Sequence, residues 1–321
     1  MRSEELKRFA LPPTAYCLLP NMSPTAAVEL VAPHTWPASV LPVLLSGALV
    51  LHDCPENFSP VMFFVLLAIS ILMQSSANVI NDYCDFVRGA DTADNQPDKE
   101  DSAMVYRGVS PAAALTLFFL LMATAGGLGA YVVWKTGWIP LVIGAIGAIT
   151  VCLYSVGKRP ISYLPLGELT SGFVMGGLIT LASSTVLTGS FSWMPLLYSI
   201  PLILGIGLIM CTNNTCDIEK DIQANRKTFS AIVGRDWARW TYHLFVYLWI
   251  ASIVTIVAVF FPAGWIILPV YIIASYPPLR GLLSNPLILN SRIAAMGQIL
   301  NVNLVMTTFY VIAIFADKVM Q

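Results

Sequence analysis

The sequence is short of charge. Of its 321 residues only 11% are Asp, Glu, Lys or Arg, while 57% are hydrophobic. A soluble domain carries about 25% charged residues, so an ordinary water-soluble globule is excluded and an all-α polytopic membrane protein is expected. Histidine is scarce: His34, His52 and His243 are the only three, and no ligand spacing joins them. The six cysteines (Cys17, Cys54, Cys84, Cys152, Cys211 and Cys216) include no CxxC pair and no histidine partner at zinc spacing. They read as small helix fillers. Pro12, Pro13, Pro20 and Pro24 interrupt the N-terminal stretch, which leaves no clean signal-peptide core. The formal net charge of −1 conceals segregated charges, and no nucleic-acid partner is expected.

Long apolar runs, in contrast, are abundant. A membrane-crossing helix needs about 20 mostly apolar residues, and nine segments reach or approach that length: 36–52, 60–80, 111–134, 138–156, 167–188, 194–213, 239–260, 264–278 and 298–316. The expected architecture is therefore a bundle of about nine transmembrane helices around a central cavity. Residues 1–32 read as a cytoplasmic tail with a short interfacial helix before Pro33, and 33–321 as one membrane domain. The eighth segment is short and ends at Pro277-Pro278. Residues 281–297, near Arg280 and Arg292, read as an interfacial stretch. With nine crossings, all but Lys135 and Lys318 of the 17 lysines and arginines fall on one side. The positive-inside rule makes that side cytoplasmic, with the N-terminus inside a cell inner membrane.

Two clusters of acid and amide side chains stand out against this background. The first runs Asn78-Val-Ile-Asn81-Asp82-Tyr83-Cys84-Asp85, followed by Arg88, Gly89 and Asp91; the second runs Asn213-Asn214-Thr-Cys216-Asp217-Ile-Glu219-Lys-Asp221. Each follows an apolar span, and four spans separate them, so both face the same compartment. Carboxylates next to hydrocarbon are costly, about 2.5–3.5 kcal/mol at mid-bilayer. On a continuing helix Asp82 and Asp85 share a face, with Asn78 one turn earlier. Asn213, Asp217 and Asp221 repeat the spacing of four. Asn78, Asn81, Asp82, Asp85, Asp91, Asn213, Asp217 and Asp221 are the candidate metal ligands. Hard oxygens of this kind suit Mg²⁺, which binds one or two carboxylates together with water and substrate phosphate oxygens. Two facing half-sites would then clamp one diphosphate. Asp94, Asp98, Glu100 and Asp101 read as solvated loop acids.

Arg88, Arg107, Lys158, Arg159, Arg226 and Lys227 are candidate cations for a diphosphate, and each also fits an ordinary head-group anchor. Lys158 and Arg159 follow Tyr154 by one turn in a short loop on the same side. Glu168 opens the fifth span, where a carboxylate complements the helix dipole. His34 is the one histidine on the expected cytoplasmic side that could meet a polar substrate.

These residues resemble the UbiA superfamily of intramembrane prenyltransferases, and within it the branch that prenylates 1,4-dihydroxy-2-naphthoate for menaquinone biosynthesis. Pro33-His34-Thr35-Trp36-Pro37, Asn81-Asp82-Tyr83-Cys84-Asp85-Phe86-x-Arg88-Gly89-x-Asp91-Thr92, Gly167-Glu168-Leu169 and Asn213-Asn214-x2-Asp217-Ile218-Glu219-x-Asp221 carry the likeness. Ala32 and Cys216 replace basic residues common in that branch. The resemblance implies that Asp82, Asp85, Asp217, Asp221 and Tyr154 act in catalysis, while Lys158, Arg159, Arg88, Arg107 and Lys227 bind the diphosphate. It implies Mg²⁺ as cofactor. A polyprenyl diphosphate and an aromatic acceptor would be the substrates, met among membrane lipids, with decarboxylation giving demethylmenaquinone. Other acceptors (4-hydroxybenzoate, homogentisate, haem) stay open, as does a cation-coupled transporter. Transporter sites usually lie at mid-bilayer on broken helices, whereas these acids gather at one face. The paired-Asp signature of CDP-alcohol phosphotransferases is absent.

Overall fold

The computed structural model describes residues 22–92 and 102–321. Arg2, Lys7, Arg8 and Cys17, together with Asp94, Asp98, Lys99, Glu100 and Asp101, lie outside the described residues, as does most of the expected tail. The helices run in the order α1 Pro24–Val31, α2 Pro37–Asp53, α3 Pro60–Arg88, α4 Ala103–Tyr106, α5 Pro111–Thr136 and α6 Ile139–Ser155. Next, α7 Gly167–Ser171 passes through a π-helical stretch, Gly172–Leu178, into α8 Ile179–Thr188. Then come α9 Met194–Tyr198, α10 Ile200–Cys216, α11 Ile218–Gln223, α12 Phe229–Val233, α13 Arg235–Phe260, α14 Leu268–Ser284 and α15 Arg292–Met320. No strand occurs among the described residues.

Helix starts are written locally. Ser23, Ser59 and Ser110 each precede a proline, and each hydroxyl accepts a backbone N–H from the first turn of α1, α3 and α5: Ala26 at 3.1 Å, Met62 at 3.4 Å and Ala113 at 3.2 Å. Serine at the cap with proline at the first helical position is a favoured opening.

All nine expected segments are helical, but they differ in length. Six helices are long and apolar enough to span a membrane, and a seventh results if Pro24–Thr35 and Pro37–Asp53, bent by 51°, form one span. Ile139–Ser155 and Ile200–Cys216 have 17 residues each, about 25 Å of helix against a hydrocarbon core of about 30 Å. Length and composition thus support a multi-pass membrane protein with six or seven helices long and apolar enough to cross, and two shorter apolar helices beside them. The eighth segment is a full candidate, Pro262–Ser284, running past Pro277 and Pro278. The expected interfacial stretch 281–297 is instead a tight turn between two helices. Asn285 Oδ1 closes it by accepting from Leu287 N at 2.9 Å and Ser291 Oγ at 2.8 Å.

The packed body also begins earlier than residue 33. Ala26 and Leu30 of α1 are buried, and the Asn78 amide of α3 donates to Val31 O at 2.9 Å and Thr35 Oγ1 at 2.8 Å. Asn78 thereby ties α1 to α3.

Two close approaches set the middle of the bundle. A Cβ on Gly172 would fall 2.4 Å from Ile203 O, and one on Gly176 would fall 2.6 Å from Ile203 N. Small residues here let α10 press against the π-helical stretch, the usual device of membrane helix packing. Trp249 and Tyr242 of α13, Leu202 of α10, and Met306 and Tyr310 of α15 fill the adjoining core. At one end of the bundle His52 Nε2 meets the fully buried Asp317 Oδ2 at 2.9 Å, joining α2 to α15. The acid clusters occupy another part of the chain, where α3, α10 and α11 end.

Candidate active site

The first cluster lies on the last three turns of α3, which continues through Arg88 and stops at Gly89 in the left-handed region, φ 68°. Asp82 and Asp85 therefore share a helix face, as the spacing predicts. Asp85 is only 5% exposed, and Asn81 Nδ2 donates to its Oδ2 at 3.4 Å. Ser155 Oγ, from α6, donates to Asn81 Oδ1 at 3.0 Å. Asp82 Oδ2 accepts from Met104 N at 3.4 Å, which fixes α4 across the helix end.

The second cluster sits on a break. Helix α10 ends at Cys216, Asp217 takes φ −98° and ψ 15°, and α11 restarts at Ile218. Asp217 and Asp221 are both buried. Thr228 Oγ1 donates to Asp221 Oδ2 at 2.9 Å. Burial pushes the Asp221 carboxyl up to about 6, with Thr228 and Arg226 pulling it back and Asp217 adding to the rise.

One side chain joins the two clusters. Arg226 donates through Nη2 to Asp85 Oδ1, and its Nη1 lies 3.9 Å from Asp221 Oδ1. Its guanidinium stacks 4.8 Å from the centre of the Tyr163 ring. Two further basic groups pair with the acids. Lys220 Nζ lies 2.6 Å from Asp91 Oδ1. Arg292 donates to Asp217 Oδ2 at 3.2 Å and to Asn213 Oδ1 at 2.9 Å. The two acid clusters thus meet at one place.

The other expected cations are distributed unevenly. Arg88 donates to Gly157 O at 2.9 Å and stands 5.3 Å from the centre of the same Tyr163 ring, bringing the exposed Lys158-Arg159 turn to the end of α3. Lys227 is exposed, although its backbone N–H donates to Tyr163 O at 3.0 Å. Arg107 is taken up by Glu29 of α1 in a two-point pair at 2.7 and 2.5 Å. Glu29 can hold it there because α1 packs across α3. Tyr154 is within electrostatic reach of Glu168, Arg226, Asp85 and Asp221. His34 is exposed in the turn after α1.

Sequence reading alone had no signal for Arg292 or Tyr163 as members of this site, and it gave no role to Lys220 within the second cluster or to Thr228 after Arg226-Lys227. Lone basic residues beside membrane helices look alike in sequence, and Thr228 and Tyr163 are ordinary loop residues. The Arg226-Lys227 pair was visible as a cation candidate, but the expectation favoured Lys227 for the diphosphate, whereas Arg226 turns inward and Lys227 is exposed.

Among the described residues, no three His, Cys, Asp or Glu side chains gather closely enough to hold a metal by themselves. The donors are nevertheless hard oxygens, and Asp217 Oδ1 is buried without a hydrogen-bond partner. An orphaned buried carboxylate oxygen is costly, and such a donor set fits a hard divalent ion whose remaining ligands come from a bound phosphate.

The comparisons agree with this architecture. Residues 14–284 match the UbiA prenyltransferase family, and the chain belongs to it. Over 210 residues it is 34% identical to the 1,4-dihydroxy-2-naphthoate octaprenyltransferase of Bacillus subtilis, covering 65% of this chain and 66% of that protein. UbiA prenyltransferase domain-containing protein 1 of Xenopus tropicalis is 28% identical over 220 residues, 67% of this chain and 62% of that one. The chain therefore spans slightly under two thirds of the length of these curated relatives. A UbiA homologue from Archaeoglobus fulgidus, solved with GPP and Mg²⁺, has the same fold: TM-score 0.60, 14% identity, 92% of this chain and 99% of that one.

Proposed function

We propose that this protein transfers a polyprenyl group from an isoprenoid diphosphate to 1,4-dihydroxy-2-naphthoate, with loss of carbon dioxide from the attacked carbon. The observation that carries this reading is the convergence of two oxygen-rich clusters, on α3 and at the α10–α11 break, through Arg226. It is supported by membership of the UbiA prenyltransferase family and by the Bacillus subtilis relative, which is named for that acceptor.

Asp82, Asp85, Asp217 and Asp221 would hold Mg²⁺, with Asn81 and Asn213 beside them. The ion supplies charge neutralisation to a diphosphate leaving group, and the A. fulgidus homologue was solved with both GPP and Mg²⁺. The chain's own residues do the rest. Arg226, Lys220 and Arg292 are partly buried cations already fixed at the clusters, so charge developing on the leaving oxygen meets preorganised partners. Arg88 and the Lys158-Arg159 turn add positive charge at the rim. Tyr154 stands between the clusters and the start of α7, where a cation formed on the prenyl carbon would pass. The apolar helices keep bulk water from that cation. The distribution of lysine and arginine supports a site on the cytoplasmic face of an inner membrane.

The test is prenyl transfer by purified protein in liposomes, with an all-trans prenyl diphosphate and a panel of 1,4-dihydroxy-2-naphthoate, 4-hydroxybenzoate and homogentisate. Mass spectrometry should show a prenylated, decarboxylated naphthalene product that disappears with EDTA. Asp82→Asn and Asp217→Asn should each lower the rate at least about a hundredfold in protein that remains monodisperse. Full activity in both variants contradicts the assignment.

A further inference from the structure

A small polar cavity lies away from the acid clusters, between the ends of α2 and α8 and against α9 with the loop before it. Tyr198, on its wall, stands two residues before α10 begins at Ile200. The 17 residues of α10, about 25 Å of helix, therefore separate it from the second cluster. Its volume is 110 Å³, and Asp53 is the one charged residue lining it. Asp53 Oδ1 pairs with His52 Nδ1 at 2.6 Å, and its Oδ2 has no partner among the described residues.

The hydroxyls on the walls have little left to donate. Thr185 Oγ1 donates to Leu181 O at 2.8 Å, and Thr188 Oγ1 donates to Ser184 O at 2.8 Å. Both protons are committed, so what these oxygens still offer is lone pairs. Ser184 is 2% exposed, and its buried Oγ has no hydrogen-bond partner. Nearly all buried polar side chains have one, so an orphaned hydroxyl on the wall of a polar cavity points to a ligand that completes it.

This chemistry selects a ligand class. A carboxylate among acceptor oxygens, with no Lys or Arg on the walls, repels an anion and favours a cation that donates hydrogen bonds. Charge-assisted bonds of that kind are the strong ones. Pockets for drug-sized ligands occupy about 300–1,000 Å³, so 110 Å³ admits only a short fragment.

We propose that this cavity binds a primary ammonium group on a short stem, its N–H groups donating to Asp53 Oδ2 and the Ser184 hydroxyl. The ethanolamine head group of a membrane lipid and a free short amine share this chemistry. Trp193, between the lining residues Ser192 and Met194, is 66% exposed and meets Phe191 edge-on at 4.8 Å. Tryptophan gathers at the head-group level of membranes, which favours the lipid as the source. Nothing in the proposal depends on the prenyltransferase reading.

The experiment is native mass spectrometry of the full chain in detergent. It is titrated with phosphatidylethanolamine, with phosphatidylcholine of the same acyl chains, or with free ethanolamine. The wild type should bind the ethanolamine lipid about tenfold or more tightly than the choline lipid, whose methylated nitrogen donates no hydrogen bond. Asp53→Asn should abolish that preference, and the conservative Ser184→Ala should reduce it about threefold. Glu56→Gln removes a neighbouring exposed charge outside the cavity and should leave the preference unchanged. Free ethanolamine that competes only at far higher concentration supports the lipid. Ethanolamine binding that Asp53→Asn removes, with the two lipids alike, supports a soluble amine at the same site. Equal binding of both lipids without ethanolamine binding overturns the proposal. A preference that survives in both Asp53→Asn and Ser184→Ala, or that Glu56→Gln lowers as much as Asp53→Asn does, overturns it as well.

Discussion

The two acid clusters share a spacing and differ in backbone. On α3, Asn78, Asp82 and Asp85 ride one uninterrupted helix. At the second, Asp217 stands in the gap between α10 and α11, so Asn213 belongs to one helix and Asp221 to the next. The same Asn-x3-Asp pattern therefore does different work. Asn78 spends its amide donor on Val31 and Thr35, anchoring α1, whereas the Asn213 oxygen faces Arg292 inside the site. A repeated motif gives repeated chemistry only where the backbone carrying it is repeated too. The rigid cluster is a platform; the broken one supplies the side chains that reach across to it.

The sharpest way to break this pairing is to remove the group that spans it. Arg226→Gln should destabilise the protein by about 3–5 kcal/mol, because Asp85 and Asp221 lose their shared buried counter-charge. Thermal unfolding in detergent measures this, and adding Asp85→Asn should recover part of the loss by removing one stranded carboxylate.

A smaller lesion should separate the two clusters. Gly176→Val puts side-chain atoms into the Ile203 backbone, where even a Cβ would sit at 2.6 Å. A cost of about 1–3 kcal/mol is expected from such overpacking. Hydrogen exchange should show opening along α10 and the second cluster, with the α3 platform keeping its protection.

pH should act on the second cluster as well. The Asp221 carboxyl is raised to about 6, above its unfolded value, so the folded state holds the extra proton. Stability on this account is greatest at acid pH and declines as pH rises through the window between the ordinary carboxylate value and about 6. Metal binding runs the other way, since a ligand must be deprotonated. Mn²⁺ affinity should fall as pH drops below about 6, and Asp221→Asn should flatten that slope.

The smallest effect is expected at Arg107→Gln. The Arg107–Glu29 pair has good geometry, but the arginine side chain is 50% exposed, and solvent-screened pairs contribute little. Its melting temperature should differ from wild type by a small fraction of the Arg226→Gln shift.

Much of this was legible in the chain. The apolar runs placed every long helix, the Ser-Pro pairs opened three of them, and the spacing of Asp82 and Asp85 put both on one face. What could not be read was the set of partners, because each comes from far along the chain: Arg226 reaches Asp85 across 141 positions, and Arg292 reaches Asp217 across 75. Local spacing contains no term for such contacts. Nor could the sequence show that Asp217 interrupts a helix, since no Gly or Pro marks the break. The apolar runs at 138–156 and 194–213 also hid how short their helices are, at 17 residues each.

The central claim is that the two clusters form a single cation-diphosphate site. Mn²⁺ binding, followed by electron paramagnetic resonance with and without a non-hydrolysable prenyl diphosphate, tests it most directly. Asp85→Asn on the platform and Asp217→Asn at the break should each weaken the same diphosphate-dependent binding at least about tenfold. If either variant binds the ion and the diphosphate as the wild type does, the clusters are two separate sites and the account is wrong.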